Sequence, residues 1–188
     1  MRISGTLFLL CTLTMWCGSQ EVGPAAGKLQ VESTERTSGI WLDVPFFAQQ
    51  KNGCGASSLA MILHYWNSPS VVADPQSIFS QLYSDKLKGI PASRMKSYLE
   101  ENGFRVFTFS AALPDLKEHL LKGRPLIVSL GRSSLHYVVV VGLDERQNLV
   151  LLNDPAVKKL SRMDEGEFLA AWKLTNYWTL LAVPDARR

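Results

Sequence analysis

The sequence predicts an α+β domain in which N-terminal helices pack on a mainly antiparallel β-sheet. Between residues 55 and 122 most apolar positions recur at helical spacing, whereas beyond residue 125 the apolar runs are short, β-branched and divided by turns. Helices grouped ahead of strands, rather than alternating with them, suit an α+β chain better than a parallel α/β one.

The globular pattern starts at Ile40. Ile40-Trp-Leu-Asp-Val-Pro-Phe-Phe47 reads as a short extended segment, and Pro45, which lacks an N–H for a ladder, puts it at an edge or strand end. A helix is expected over 55–66, where Ala56, Leu59, Ala60, Leu63 and Tyr65/Trp66 share one face, with Asn67-Ser-Pro69 ending it. Two more are expected over 74–84 and 92–102, the second closed by Gly103 in a left-handed cap. Arg105-Val-Phe-Thr-Phe109 is a strand, and 114–122 a short helix closed by Gly123. Strands follow at Pro125-Leu-Ile-Val-Ser-Leu130, His136-Tyr-Val-Val-Val-Val-Gly-Leu143 and Asn148-Leu-Val-Leu-Leu152, the last two joined by the polar break Asp144-Glu-Arg-Gln147. A helix over 163–172 and a closing strand Tyr177-Trp-Thr-Leu-Leu-Ala-Val183 complete the domain.

With 188 residues, 46% hydrophobic and 20% charged, the chain is long enough for one domain with a substantial core and too apolar for disorder. The formal charge of +3 is spread out, and no basic cluster interleaves with aromatics, so no nucleic-acid partner is expected. The N-terminus reads as an export signal over 1–19: Arg2 is followed by Leu7-Phe-Leu-Leu-Cys-Thr-Leu-Thr-Met-Trp16, too short for a comfortable span. A cut after Ser19 leaves Cys17 and Ser19 at the small positions. The alternative is a lipoprotein signal anchored through Cys17, although Met15 and Trp16 are bulky for one. Residues 20–38 read as a flexible linker and 39–188 as the domain, exported to the periplasm or beyond, with no integral membrane segment in the mature chain.

Cys11 and Cys17 fall within the leader, which leaves Cys54 as the single thiol of the mature chain. An unpaired thiol between glycines, in Asn52-Gly-Cys-Gly-Ala56, is exposed to oxidation unless the sulfur has a task, so Cys54 is the candidate nucleophile. Its place at a helix start favours thiolate, because unpaired N–H groups and the helix dipole stabilise negative charge. A base must also take the proton and later give it to a leaving amine. His64 lies ten residues along the same helix, and His119 lies in a polar amphipathic helix. His136 opens an apolar strand, where a base can be held rigidly or where a histidine can simply cap a strand end.

The base needs an orienting acceptor. Two antiparallel strands joined by a short hairpin place the start of the first beside the end of the second, which brings His136 next to Asn153-Asp154-Pro155. Alternation aims neighbouring side chains apart, so only one of Asn153 and Asp154 faces the imidazole. For a developing oxyanion the Cys54 N–H is one donor and the amide of Gln49 or Gln50 a second. One mature cysteine and scattered histidines make no ligand cluster, so no metal or other cofactor is expected.

These residues, together with Val44-Pro-Phe-Phe-Ala-Gln49, Gly53-Cys-Gly-Ala-Ser-Ser-Leu-Ala60, His136-Tyr-Val-Val-Val-Val-Gly-Leu-Asp144 and Asn153-Asp-Pro-Ala156, resemble the papain-like family 39 cysteine peptidases. Those are the double-glycine, bacteriocin-processing peptidase domains and their free-standing relatives. The resemblance runs from Ile40 nearly to the C-terminus, with the four blocks in family order. It implies a papain-like fold, with Cys54 as nucleophile, His136 as base, Asp154 as its orienter and Gln49 as oxyanion donor. Gly53 and Ala56 depart from it, standing where relatives often have a polar residue and a proline. No Walker-type glycine loop accompanies the domain, so it resembles a stand-alone exported relative. The expected function is hydrolysis of peptide bonds in a peptide or protein substrate through an acyl-enzyme. The alternatives are acyl transfer by the same triad, a non-catalytic peptide-binding module, and an inert buried thiol.

Overall fold

Seven strands, all paired antiparallel, build one sheet in the computed structural model, which describes residues 39–66, 73–131 and 135–185. These residues belong to one compact unit, Glu35–Arg188. The leader and linker expected over 1–38, the helix-ending residues 67–69 and the loop 132–134 lie outside the described residues.

In chain order the elements are β1 (Gly39–Trp41), α1 (Cys54–Tyr65), α2 (Pro75–Leu82), α3 (Ala92–Glu101), β2 (Phe104–Ser110), α4 (Leu113–Leu121), β3 (Leu126–Gly131), β4 (Leu135–Asp144), β5 (Leu149–Asp154), β6 (Lys158–Asp164), α5 (Glu165–Lys173) and β7 (Trp178–Pro184). The strands run β2-β7-β3-β4-β5-β6 across the sheet, with β1 added to β4. No helix of the described residues is long and apolar enough to cross a membrane.

Helices cover both faces. Along β4, Val139 and Val141 join the core under α1, α2 and α3, while Val138 and Val140 join a second core with Leu116 and Leu120 of α4 and Phe168 and Trp172 of α5. The run Val138-Val-Val-Val141 has no polar alternation because each residue is buried on one face or the other. Expected and observed boundaries agree to within about two residues in most elements, the usual uncertainty of helix ends. Gly103 and Gly123 follow α3 and α4 with φ of 89° and 68°, as left-handed caps do.

Two stretches differ from the sequence reading. Of the extended segment 40–47, only its start pairs as a strand, and the rest is an irregular strap over the edge of the first core. Strand β6 was not expected. Lys158-Lys-Leu-Ser-Arg-Met-Asp164 is charged and largely solvated, as an outermost strand protected against further pairing often is. Its Asp164 then caps α5, accepting from the N–H groups of Gly166 (2.8 Å) and Glu167 (3.2 Å).

β1 crosses β4 at Gly142, next to a register shift in the β4–β5 ladder. A Cβ there would stand 2.3 Å from the Ile40 carbonyl oxygen and 2.9 Å from the Trp41 Cα, with backbone on both sides and no room to yield. Gly142→Ala is therefore expected to prise β1 off the sheet and cost about 1–3 kcal/mol, read as a lower thermal midpoint. An unchanged midpoint would show that β1 adds nothing to stability.

Candidate active site

Cys54 is the first residue of α1, the helix whose residues from Gly55 to Leu63 are all buried. The chain enters through a tight turn, with Asn52 at φ 62° and the Gly53 N–H donating to the Gln50 carbonyl at 2.9 Å. No side chain caps this end, so its first N–H groups keep their positive ends for the sulfur. Two buried hydroxyls tie α1 to its surroundings: Ser57 Oγ donates to the Ala48 carbonyl of the strap (3.3 Å) and Ser58 Oγ to that of Tyr137 in β4 (3.5 Å).

β4 carries His136 up to that helix start. The imidazole Nε2 donates to Asp154 Oδ1 at 2.7 Å, both side chains being largely buried, which leaves Nδ1 as the ring nitrogen for the Cys54 thiol, whose titration responds to His136. The β4–β5 register explains the pairing. Val139 stands opposite Asn153, so Asp154, one residue on, falls on the other face with Val138 and lies diagonal to His136. Asn153 accordingly points away from the imidazole. The Asp154 carboxylate also accepts from the Ala156 N–H at 2.9 Å, which fixes its direction.

Charge in the cluster is mutually reinforcing. Burial, the largest single influence on Cys54, pushes the thiol up, but hydrogen bonds from His136 and from the Tyr137 and Gly55 N–H groups, with the imidazolium charge, bring it below its ordinary value. Burial likewise opposes charge on His136. The hydrogen bond and charge of Asp154, and those of Cys54, outweigh it and raise the imidazole to about 9. A thiol lowered beside an imidazole raised is the condition for a resting thiolate–imidazolium pair. Tyr137 beside them is pushed up to about 12 by burial and then by the negative charge of Cys54, so its phenol stays neutral.

Gln49 is half-buried on the strap and anchored by its N–H, which donates to the Pro155 carbonyl at 2.9 Å. Its Oε1 is buried without a hydrogen-bond partner. Gln50 is exposed and lines a different hollow of about 150 Å³ with Ala48, Gly53, Asp74 and Phe79. The other histidines lie away from the sulfur. His64 is exposed in the last turn of α1, roughly 15 Å from Cys54 at the helical rise per residue, with its ring 4.9 Å from that of Phe47. His119 is half-buried at the end of α4 against Phe109, with Nδ1 buried and unpartnered, and burial followed by the Arg124 charge lowers its pKa. Phe46, Phe47, Tyr137 and Trp178 pack against the first core.

The lowered thiol leads to an expected chemical behaviour. Iodoacetamide at mildly acidic pH should alkylate Cys54 at least about tenfold faster than free cysteine, because alkylation follows the thiolate fraction. His136→Ala should remove the advantage. A slow reaction at Cys54 in the parent protein would count against an activated thiol.

A helix that begins with cysteine, packed on an antiparallel sheet whose strands bring up histidine and aspartate, defines the papain-like class of cysteine peptidase folds. Within that class the chain belongs to the Peptidase_C39 like family, whose model matches residues 41–179. Among solved structures it is similar to a Bacillus anthracis protein described as a C39-like peptidase, with 18% identity, TM-score 0.60, and coverage of 77% of this chain and 97% of that one. It is also similar to the double glycine motif protease of an AMS/PCAT transporter, solved with its leader peptide (22%, TM-score 0.62, coverage 77% and 94%). A third is the peptidase domain of Streptococcus ComA, a bi-functional ABC transporter of a quorum-sensing pathway (20%, TM-score 0.60, coverage 76% and 98%). Comparison with curated proteins gives no match.

Proposed function

We propose that the protein is a cysteine peptidase that hydrolyses peptide bonds through Cys54, His136 and Asp154. The observation that carries this reading is the imidazole of His136, held by Asp154 at 2.7 Å on one side and so placed on the other that it and the Cys54 thiol shift each other's pKa in opposite directions. The Cys54 thiolate attacks the peptide carbonyl and forms a tetrahedral oxyanion. The imidazolium gives its proton to the departing amine as the C–N bond breaks, leaving a thioester. Neutral His136 then takes a proton from water, which attacks the thioester, and the C–S bond breaks to release the acid product and restore the Cys54 thiolate beside the His136 imidazolium. Asp154 keeps Nε2 protonated and the ring in place.

The oxyanion is met by the Cys54 N–H and by the side-chain amide of Gln49. The buried end of that amide is its oxygen, which leaves the amino end for a substrate oxygen. A peptide as substrate is supported by the similar transporter protease that was solved with a leader peptide. The test is a peptide-library cleavage assay on the full chain with Cys54→Ala as control. Cleavage that persists in the variant, or is missing from the parent across the library, counts against a thiol peptidase.

A further inference from the structure

Asn153, next in the chain to Asp154, is fully buried, and both ends of its amide are engaged. Nδ2 donates to the Val44 carbonyl at 3.0 Å and towards that of Pro45 at 3.4 Å, while Oδ1 accepts from the Leu160 N–H at 3.1 Å. The β5–β6 ladder shifts register here: Leu152 stands opposite Ser161 and Asp154 opposite Lys158, so two residues of β6 face Asn153. One of them, Leu160, has φ 52°, a left-handed conformation that a branched side chain adopts only when its surroundings hold it. The Asn153 side chain takes the N–H that the shifted ladder leaves over. Asn153 therefore joins three pieces: the β6 bulge, the strand that ends in Asp154, and the strap at Val44 and Pro45.

That strap leads within four residues to Gln49, where a second tie, from the Gln49 N–H to the Pro155 carbonyl at 2.9 Å, returns it to the end of β5. The segment carrying Gln49 is thus fastened at both ends to the segment carrying Asp154. We propose that Asn153 is a positioning residue: its buried amide holds the strap so that the Gln49 amide stands where the oxyanion forms beside Cys54. This rests on the reading of Gln49 as oxyanion donor. Few other side chains suit the position, since two carbonyls and one N–H must be met at once. Aspartate has no amino group for the carbonyls, and leucine, of similar size, leaves all three groups unpaired.

Two reactions of the full chain separate this role from a merely structural one. Acylation by p-nitrophenyl acetate passes through an oxyanion, as the thiolate adds to the carbonyl and p-nitrophenolate leaves. Alkylation by iodoacetamide displaces iodide at a saturated carbon and forms no oxyanion. Rates are taken per folded molecule, the folded fraction being read from circular dichroism, and the modified residue is confirmed as Cys54 by peptide mapping. Asn153→Ala is expected to slow acylation about 10- to 100-fold, the range for a weakened oxyanion donor. Alkylation and its pH dependence should stay within about twofold. Asn153→Ser, whose hydroxyl can meet one carbonyl, should fall between and serves where the alanine variant does not fold. In a Gln49→Ala background the Asn153 substitution should add less than about twofold, because both act at one donor.

Parallel loss of acylation and alkylation, a shifted pH dependence of alkylation, or additive losses with Gln49→Ala would each overturn the proposal in favour of support for the fold or for Asp154. Unchanged acylation in Asn153→Ala, with Gln49→Ala slow, would overturn it and leave the oxyanion reading standing. Unchanged acylation in Gln49→Ala would overturn both.

Discussion

Cys54→Ala is expected to lower peptide cleavage by at least about 10⁴-fold, to the background rate, because among the described residues Cys54 is the nucleophile that the imidazole serves. The same change should leave the fold almost untouched. Cys54 lies at the partly exposed start of α1, outside both cores, and losing its sulfur should alter stability by no more than about 1 kcal/mol. A circular dichroism melt beside the cleavage assay checks both halves. His136 supplies a third readout. Its hydrogen bond with Cys54 and the thiolate charge both raise its pKa, so removing the sulfur should move its titration down from about 9. A peptide-binding module on this scaffold would keep its affinity in Cys54→Ala and never show cleavage in the parent. An inert buried thiol would leave the His136 titration unmoved.

The elements were legible where local chemistry and burial agree. α1 could be read because its apolar face and its glycine-bounded start both survive in the fold, and β4 because four consecutive valines fit a strand buried on both faces. The juxtaposition of His136 with Asp154 was legible too, since a hairpin connection and a two-residue period are local properties. β6 was not, because Lys158 to Asp164 form a strand through pairing with β5 rather than through their own pattern. The strap was hidden for the opposite reason: Val44-Pro-Phe-Phe47 looks strand-like, but its polar ties go to Asn153 and Pro155, more than a hundred residues away. From sequence Asn153 is only a rival to Asp154 for the imidazole, since nothing in Asn-Asp-Pro shows that an amide will fill a register shift against β6. Spacing likewise does not separate Gln49 from Gln50, which differ in the fold because the first is half-buried and the second exposed.

His136→Ala is expected to lower cleavage on the order of 10³- to 10⁴-fold, and His64→Ala less than about twofold, because only the first ring can exchange a proton with the sulfur. The reverse ranking would sink the assignment. Asp154→Asn carries the finer expectation. The competent form pairs a Cys54 thiolate with a His136 imidazolium. As pH falls through the lowered thiol value the thiolate is protonated, and as pH rises through about 9 the imidazolium is lost, so cleavage should follow a bell whose alkaline limb lies near 9. An asparagine at 154 can still accept from Nε2 but brings no charge. With the carboxylate gone, His136 should lose its proton at lower pH and the alkaline limb should move down. Because the imidazolium, with the Tyr137 and Gly55 N–H groups, helps hold Cys54 below its ordinary value, the thiol should rise in turn and the acid limb move up. The bell should narrow from both sides, with a loss at its maximum on the order of 10-fold or more. A pH profile of kcat/KM for parent and variant decides it. If the limbs stay in place while the maximum falls, Asp154 acts by orientation alone. If neither changes, the Asp154 carboxylate is no part of the catalytic group.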